Sequence, residues 1–198
     1  MDLAVYNGFA RPIELSLDGA SSSLGAEQAL VLLKVPAGIV LVASAPSGEL
    51  DRQVLPEAPE GALAVWNVAG RGMIWLGIAR YGEGEAPEHE PLPGLPLLLL
   101  RSIDHAFEDP PEQLDVEEGQ TVDRSVLYGQ EDLDLLHFTM QLRSVGELDR
   151  ALSMIEAELR MSPGSAALIE HADLLCFDAP ERLAELRARW KTQGLVQE

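Results

Sequence analysis

Four histidines, one cysteine and a run of carboxylates are the side chains in this sequence that could hold a metal ion or move a proton. His89 stands between Glu88 and Glu90, and His105 follows Asp104 and precedes Glu108 and Asp109. His137 comes three residues after Asp134, and His171 falls in a later apolar stretch. Imidazole nitrogens and carboxylate oxygens are metal ligands and general acids or bases. The spacing argues against most of that chemistry. Successive residues in a loop seldom converge on one ion, and Pro91 follows the first cluster directly. Around His105 there is no EF-hand spacing, so a local hydrogen-bonding role is expected there. His137, His171 and Asp134 would share a pocket only if their two helices faced each other.

Nucleophile and cofactor signatures are missing. Cys176 is the lone cysteine, which excludes an intramolecular disulfide and a cysteine-based zinc site, and its apolar neighbours predict a core position. Lys34 and Lys191 are the two lysines, leaving few candidates for a phosphate loop or a Schiff base. No Gly-x-Ser-x-Gly elbow occurs, and Gly70-Arg71-Gly72 has glycines too close together for a dinucleotide loop. The expectation is a non-enzymatic chain with no catalytic residue, no cofactor and no resident metal.

Charge is the strongest departure from a plain domain. The 198 residues carry 33 Asp and Glu against 14 Lys and Arg, a formal charge of −19. Such a surface repels phosphate backbones, which disfavours nucleic acid as a partner. From Glu83 to Asp123 there are twelve carboxylates and a single arginine, Arg101. Two readings of this stretch stand side by side: a hydrated, solubilising surface, or a negative face that steers a basic protein. Asp115, Glu117 and Glu118 are candidate partner contacts, and as loop carboxylates they also suit calcium.

The elements that must position these residues divide the chain near Gly129. Residues 1–128 alternate short apolar runs with Gly, Pro, Asn and Asp, predicting about eight strands in an antiparallel β-sandwich. Strands are expected at Ile13 to Leu17, Leu30 to Val35, Ile39 to Ala43, Leu50 to Leu55 (as an edge), Ala62 to Val68, Met73 to Tyr81, Leu97 to Ile103 and Val122 to Tyr128. Pro36-Ala37-Gly38 and Ala69-Gly70-Arg71-Gly72 read as tight connections between neighbouring strands. Gly82 to Pro96 reads as solvated loop that could split the region into two β units.

Residues 129–198 switch to a helical period. Leu133, Leu135, Leu136, Phe138, Leu142 and Val145 form one stripe, and Leu148, Ala151, Leu152, Ile155 and Leu159 a second. Pro163-Gly164 stops that helix, and Ser165 opens a third through Leu168, Ala172 and Leu175. Asp178 as N-cap and Pro180 in the first turn start a fourth, buried along Leu183, Leu186 and Trp190. Short connections make these antiparallel hairpins. No apolar run reaches the roughly 20 residues of a membrane span, and the first residues lack a signal peptide. A soluble protein follows, cytoplasmic if the chain is full length and membrane-tethered if it is a fragment.

The helical region resembles a tetratricopeptide repeat over residues 131–192. Leu135, Phe138 and Leu142 match the large helix-A positions, Ala151 the helix-B alanine, Ile155 the next large position and Pro163 the terminator. Thr139 and Glu158 depart from the pattern, standing where small residues are usual. More loosely, Val5-Tyr6-Asn7, Pro12 to Gly19 and Val35-Pro36-Ala37-Gly38 resemble prealbumin-like or immunoglobulin-like β-sandwich accessory modules. These resemblances imply an α+β chain acting as a protein-interaction or scaffold module, the soluble part of a larger bacterial assembly. A metal-dependent hydrolase or carbohydrate-binding protein is the alternative. Two hairpins fall short of the usual three, so the helices must dock on the β region, a second copy or a partner. Docking on the β region is expected, with Trp190 or Phe138 near the contact, and Phe138, Leu142 and Trp190 are also candidate partner contacts.

Overall fold

The computed structural model describes residues 1–85, 87–101, 103–117, 119–130 and 134–196, with Pro93 described by its backbone alone. The chain is α+β, with strands first and helices last. Its organising element is a central sheet of β1 (Asp2–Tyr6), β4 (Ala29–Leu32), β7 (Leu63–Asn67) and β10 (Leu97–Leu100), in the order β10-β7-β1-β4. Alternate residues of β1 and β7 serve two different cores. Leu3, Val5, Ala64 and Trp66 face one, and Ala4, Tyr6, Leu63 and Val65 face the other. Burial on both faces explains why these strands are continuously apolar, and it suits their parallel pairing, Asp2 opposite Leu63 through Tyr6 opposite Asn67.

A flanking sheet covers each face. The early one is β2 (Ile13–Leu17), β3 (Ala20–Leu24), β5 (Val40–Ala45) and β6 (Gly48–Val54), in the order β3-β2-β5-β6. It contributes Ile13, Leu15, Leu24, Leu41 and Ala43 to the first core. The late one is β8 (Met73–Gly82), β9 (Glu90–Pro93), β11 (His105–Ala106) and β12 (Thr121–Gln130), in the order β11-β12-β8-β9. Ile74 and Leu127 bring it onto the opposite face of the central sheet. The polar strand expected near residues 50–55 is β6, at a sheet edge as read.

Three expectations are corrected. The turns at 36–38 and 69–72 each join strands of different sheets, because a turn fixes a chain reversal and leaves the partner strand to be chosen by burial. The expected loop 82–96 contains β9, an edge strand whose prolines are tolerated because one side of the strand needs no ladder. Pairing is not wholly antiparallel: β1 with β7 and β11 with β12 are parallel.

Four helices follow: α1 (Leu135–Ser144), α2 (Leu148–Met161), α3 (Ala166–Leu175) and α4 (Pro180–Thr192). Asp134 caps α1 by accepting from the His137 amide at 3.2 Å. Pro180 opens α4 as expected, but the N-cap is Ala179, and Asp178 pairs instead with Arg143 at 3.0 Å. Leu133 of the expected first stripe lies outside the described residues. The helices share a core of Phe138, Leu142, Leu152, Ile155, Leu175 and Trp190. No helix among the described residues is long and apolar enough to cross a membrane.

The helices dock on the β region through α2. Ala157 and Met161 enter the first core, the Arg11 guanidinium donates to the Met161 carbonyl at 3.0 Å, and Arg71 forms an ion pair with Glu158. Trp190 packs inside the helical core, where its indole donates to Glu156 of α2 at 3.0 Å. Phe138 does meet the β region: an added Cβ on Gly94 would come 3.2 Å from its ring.

Candidate functional site

The late flanking sheet turns one face inward, with Ile74 and Leu127, and the other outward. Register pairs Gly77 with Val126, Trp75 with Tyr128 and Ala79 with Arg124, so these residues share the outward face. Glu90 pairs with Leu76, which sets His89 beside Gly77. The missing side chain at Gly77 makes room for the imidazole: an added Cβ there would come 2.9 Å from His89 Cδ2. Small floor residues flanked by large ones leave a cleft of 610 Å³.

One wall is His89 and Tyr128, joined by a hydrogen bond between imidazole Nδ1 and the phenol hydroxyl, with rings edge to face at 5.4 Å. The other is the segment Phe107 to Pro110, which leaves the sheet at β11. Phe107 stacks on Tyr6 with ring centroids 5.2 Å apart. Tyr6 is wedged against Gly72 and Gly129, where no side chain would fit, and its hydroxyl donates to the Gln130 carbonyl at 3.1 Å. Glu27, Glu108 and Asp109 bring carboxylates to the rim. Glu27 and Phe107 both have positive φ, 53° and 57°, a conformation costly for residues with side chains.

The rim is anchored locally. Asp104 accepts from the Ser125 amide at 2.8 Å, the Ser125 hydroxyl at 2.9 Å and Arg124 at 3.1 Å. Those bonds, the Ser125 amide first, hold its carboxyl below the ordinary range. His105 reaches Glu108 at 3.3 Å, the local hydrogen-bonding role expected of it. On the outward face Tyr81 donates to the Pro111 carbonyl at 2.6 Å, and on the opposite face, at the sheet's exposed end, Arg80 pairs with Asp123 at 2.7 Å.

Asp115 and Glu117 are exposed on the same loop but outside the cleft, and Glu118 lies outside the described residues. Phe138, Leu142 and Trp190 are 2%, 4% and 0% exposed, so they build the helical core and offer no partner surface. His171 and His137 do not form a shared pocket with Asp134. His171 is buried against Thr139 at 2.8 Å, and exposed His137 contacts Gln141 at 2.8 Å. Among the described residues, no three His, Cys, Asp or Glu side chains stand where they could hold a metal ion. Cys176 is buried, which pushes its thiol up.

Sequence reading finds His89, Glu108 and Asp109 as polar residues, but not the cleft. Its signal is Gly77 in an apolar strand, and the partners Tyr128, Phe107 and Tyr6 come from distant segments. No protein-family model matches this chain, and no curated protein matches it.

Proposed function

We propose that this chain is a non-enzymatic protein-interaction module whose partner presents a basic segment. The observation that carries the reading is the charge on the two loops beside the late flanking sheet. Nine exposed carboxylates lie in residues 83–90 and 108–117, with no lysine or arginine among them. Clustered charge of one sign steers an oppositely charged partner and raises its association rate. The two helical hairpins support a tetratricopeptide-like reading of residues 131–192, and the packed flanking sheets support a sandwich-type reading of the β region. On this reading the helices serve as a buttress for the β region, since α2 gives part of its surface to the first core.

The test is fluorescence anisotropy with a labelled, end-blocked oligolysine peptide. Binding is expected at about 0.1 M salt and should weaken at least tenfold at about 1 M, where the Debye length falls from about 10 Å to about 3 Å. Absence of binding at the lower salt would overturn the reading.

A further inference from the structure

We propose that the cleft between the His89–Tyr128 wall and the Phe107–Pro110 segment is the specificity pocket for one cationic side chain, lysine or arginine, of the basic partner. The proposal rests on the reading above that the partner is basic, and it adds where and how one of its residues is held.

A cleft of 610 Å³ is roomy enough for the alkyl stem and head of either side chain. Its floor of Ala79 and Val126 is small and apolar, which suits a methylene stem, and the His89 ring lies over Gly77 beside it. Its walls are aromatic rings, whose negative faces attract an ammonium or guanidinium. The hydrogen bond between His89 and Tyr128 fixes that wall before any ligand arrives, and the Tyr6–Phe107 stack braces the opposite one. Wall geometry set in advance reduces the ordering cost of binding. At the rim, Glu108 and Asp109 lie where a charged head emerges, and among the described residues Asp109 has no ion-pair partner. Charge alone would make any acidic stretch of this chain equivalent. The combination of bare floor, ring walls and rim carboxylates is what distinguishes this one.

The experiment uses the full chain and the same oligolysine peptide, with an oligoarginine peptide as the second arm. Ala79→Leu fills the floor without altering charge, and Asp109→Asn removes one rim charge. Asp115→Asn removes the same charge from the loop outside the cleft. Circular dichroism melts verify that each variant folds. Ala79→Leu and Asp109→Asn should each weaken binding about fivefold or more, the size of one cation–π contact at a partly exposed site or of one surface charge pair, whereas Asp115→Asn changes it less than twofold. The tighter of the two peptides identifies the preferred head group. Equal weakening by Asp109→Asn and Asp115→Asn, with Ala79→Leu unaffected, would overturn the pocket while leaving a basic partner in place. Loss of all peptide binding by the unaltered chain would overturn both. Chemical-shift titration of Gly77, His89 and Tyr128 with N-acetyl-lysine-methylamide is the direct check. These signals should move with that probe and not with its uncharged norleucine analogue or with glucose. A glucose response exceeding the lysine response would assign the cleft to a sugar instead and overturn the proposal.

Discussion

Thr139 and Glu158, the two residues that break the repeat pattern, are both engaged in specific polar contacts. Thr139 lies on α1, donating to the Leu135 carbonyl at 2.7 Å and meeting His171 of α3 at 2.8 Å. Glu158 lies on α2 and pairs with Arg71, which is 8% exposed. Removing one partner of such a pair leaves a buried charge uncompensated. Glu158→Ala should therefore cost about 3 kcal/mol in urea unfolding, and Arg71→Leu with Glu158→Leu should recover most of it. The His171 pair is expected to make stability pH-dependent. Burial lowers the imidazole pKa below its ordinary value, with Asp134 acting weakly in the opposite direction. The unfolded chain therefore binds the proton more readily. This contribution is whole above about pH 6.5 and is lost as pH falls from there through the lower folded value. Thermal melts between neutral and acidic pH should show that loss, and His171→Leu should flatten it. On α2, burial pushes the Glu156 carboxyl up, but hydrogen bonds from Trp190, Arg189 and Arg160 outweigh burial and keep it below the usual range.

At the scale of elements, the helices are legible because their period is local: each turn repeats within four residues, and caps and prolines mark the ends. The strands are legible as runs, since two-residue alternation is also local. Their sheets are not. β1 pairs with β7 some sixty positions away, and nothing in either run names the other. The cleft is hidden for the same reason. His89 reads as loop because its prolines suggest one, and only the ladder to β8 sets it beside Gly77. Two glycines of the late flanking sheet should separate support from site. At Gly129 an added methyl meets the buried, stacked Tyr6 ring, whereas at Gly77 it meets the exposed His89 ring, whose displacement disturbs no core packing though it would break the bond to Tyr128. Gly129→Ala should lower stability by about 1–3 kcal/mol and Gly77→Ala by less than about 1 kcal/mol, as measured by urea titration.

Across the whole molecule, α2 joins the helices to the first core, so the two regions are expected to unfold together. Melting followed at 222 nm should coincide with melting followed by the near-ultraviolet signal of Trp66 and Trp190, which report the β and helical cores respectively. Shortening the chain to residues 1–133 uncovers the core at Ala157 and Met161, and should lower the midpoint and bring on dye binding to exposed apolar surface. With a net charge of −19, self-repulsion opposes compaction, and moderate salt should raise the midpoint while weakening a basic partner.

The middle position of β1 also sets a timetable. β1 is synthesised before its partners, since one of its neighbours is β7 and the layers above and below end at residues 54 and 130. Tyr6 must wait for Gly129 before its slot exists. Nascent chains halted before β12 therefore expose an unfinished apolar strand, and assembly waits until β12 has emerged, so chaperone occupancy should be greatest before that point.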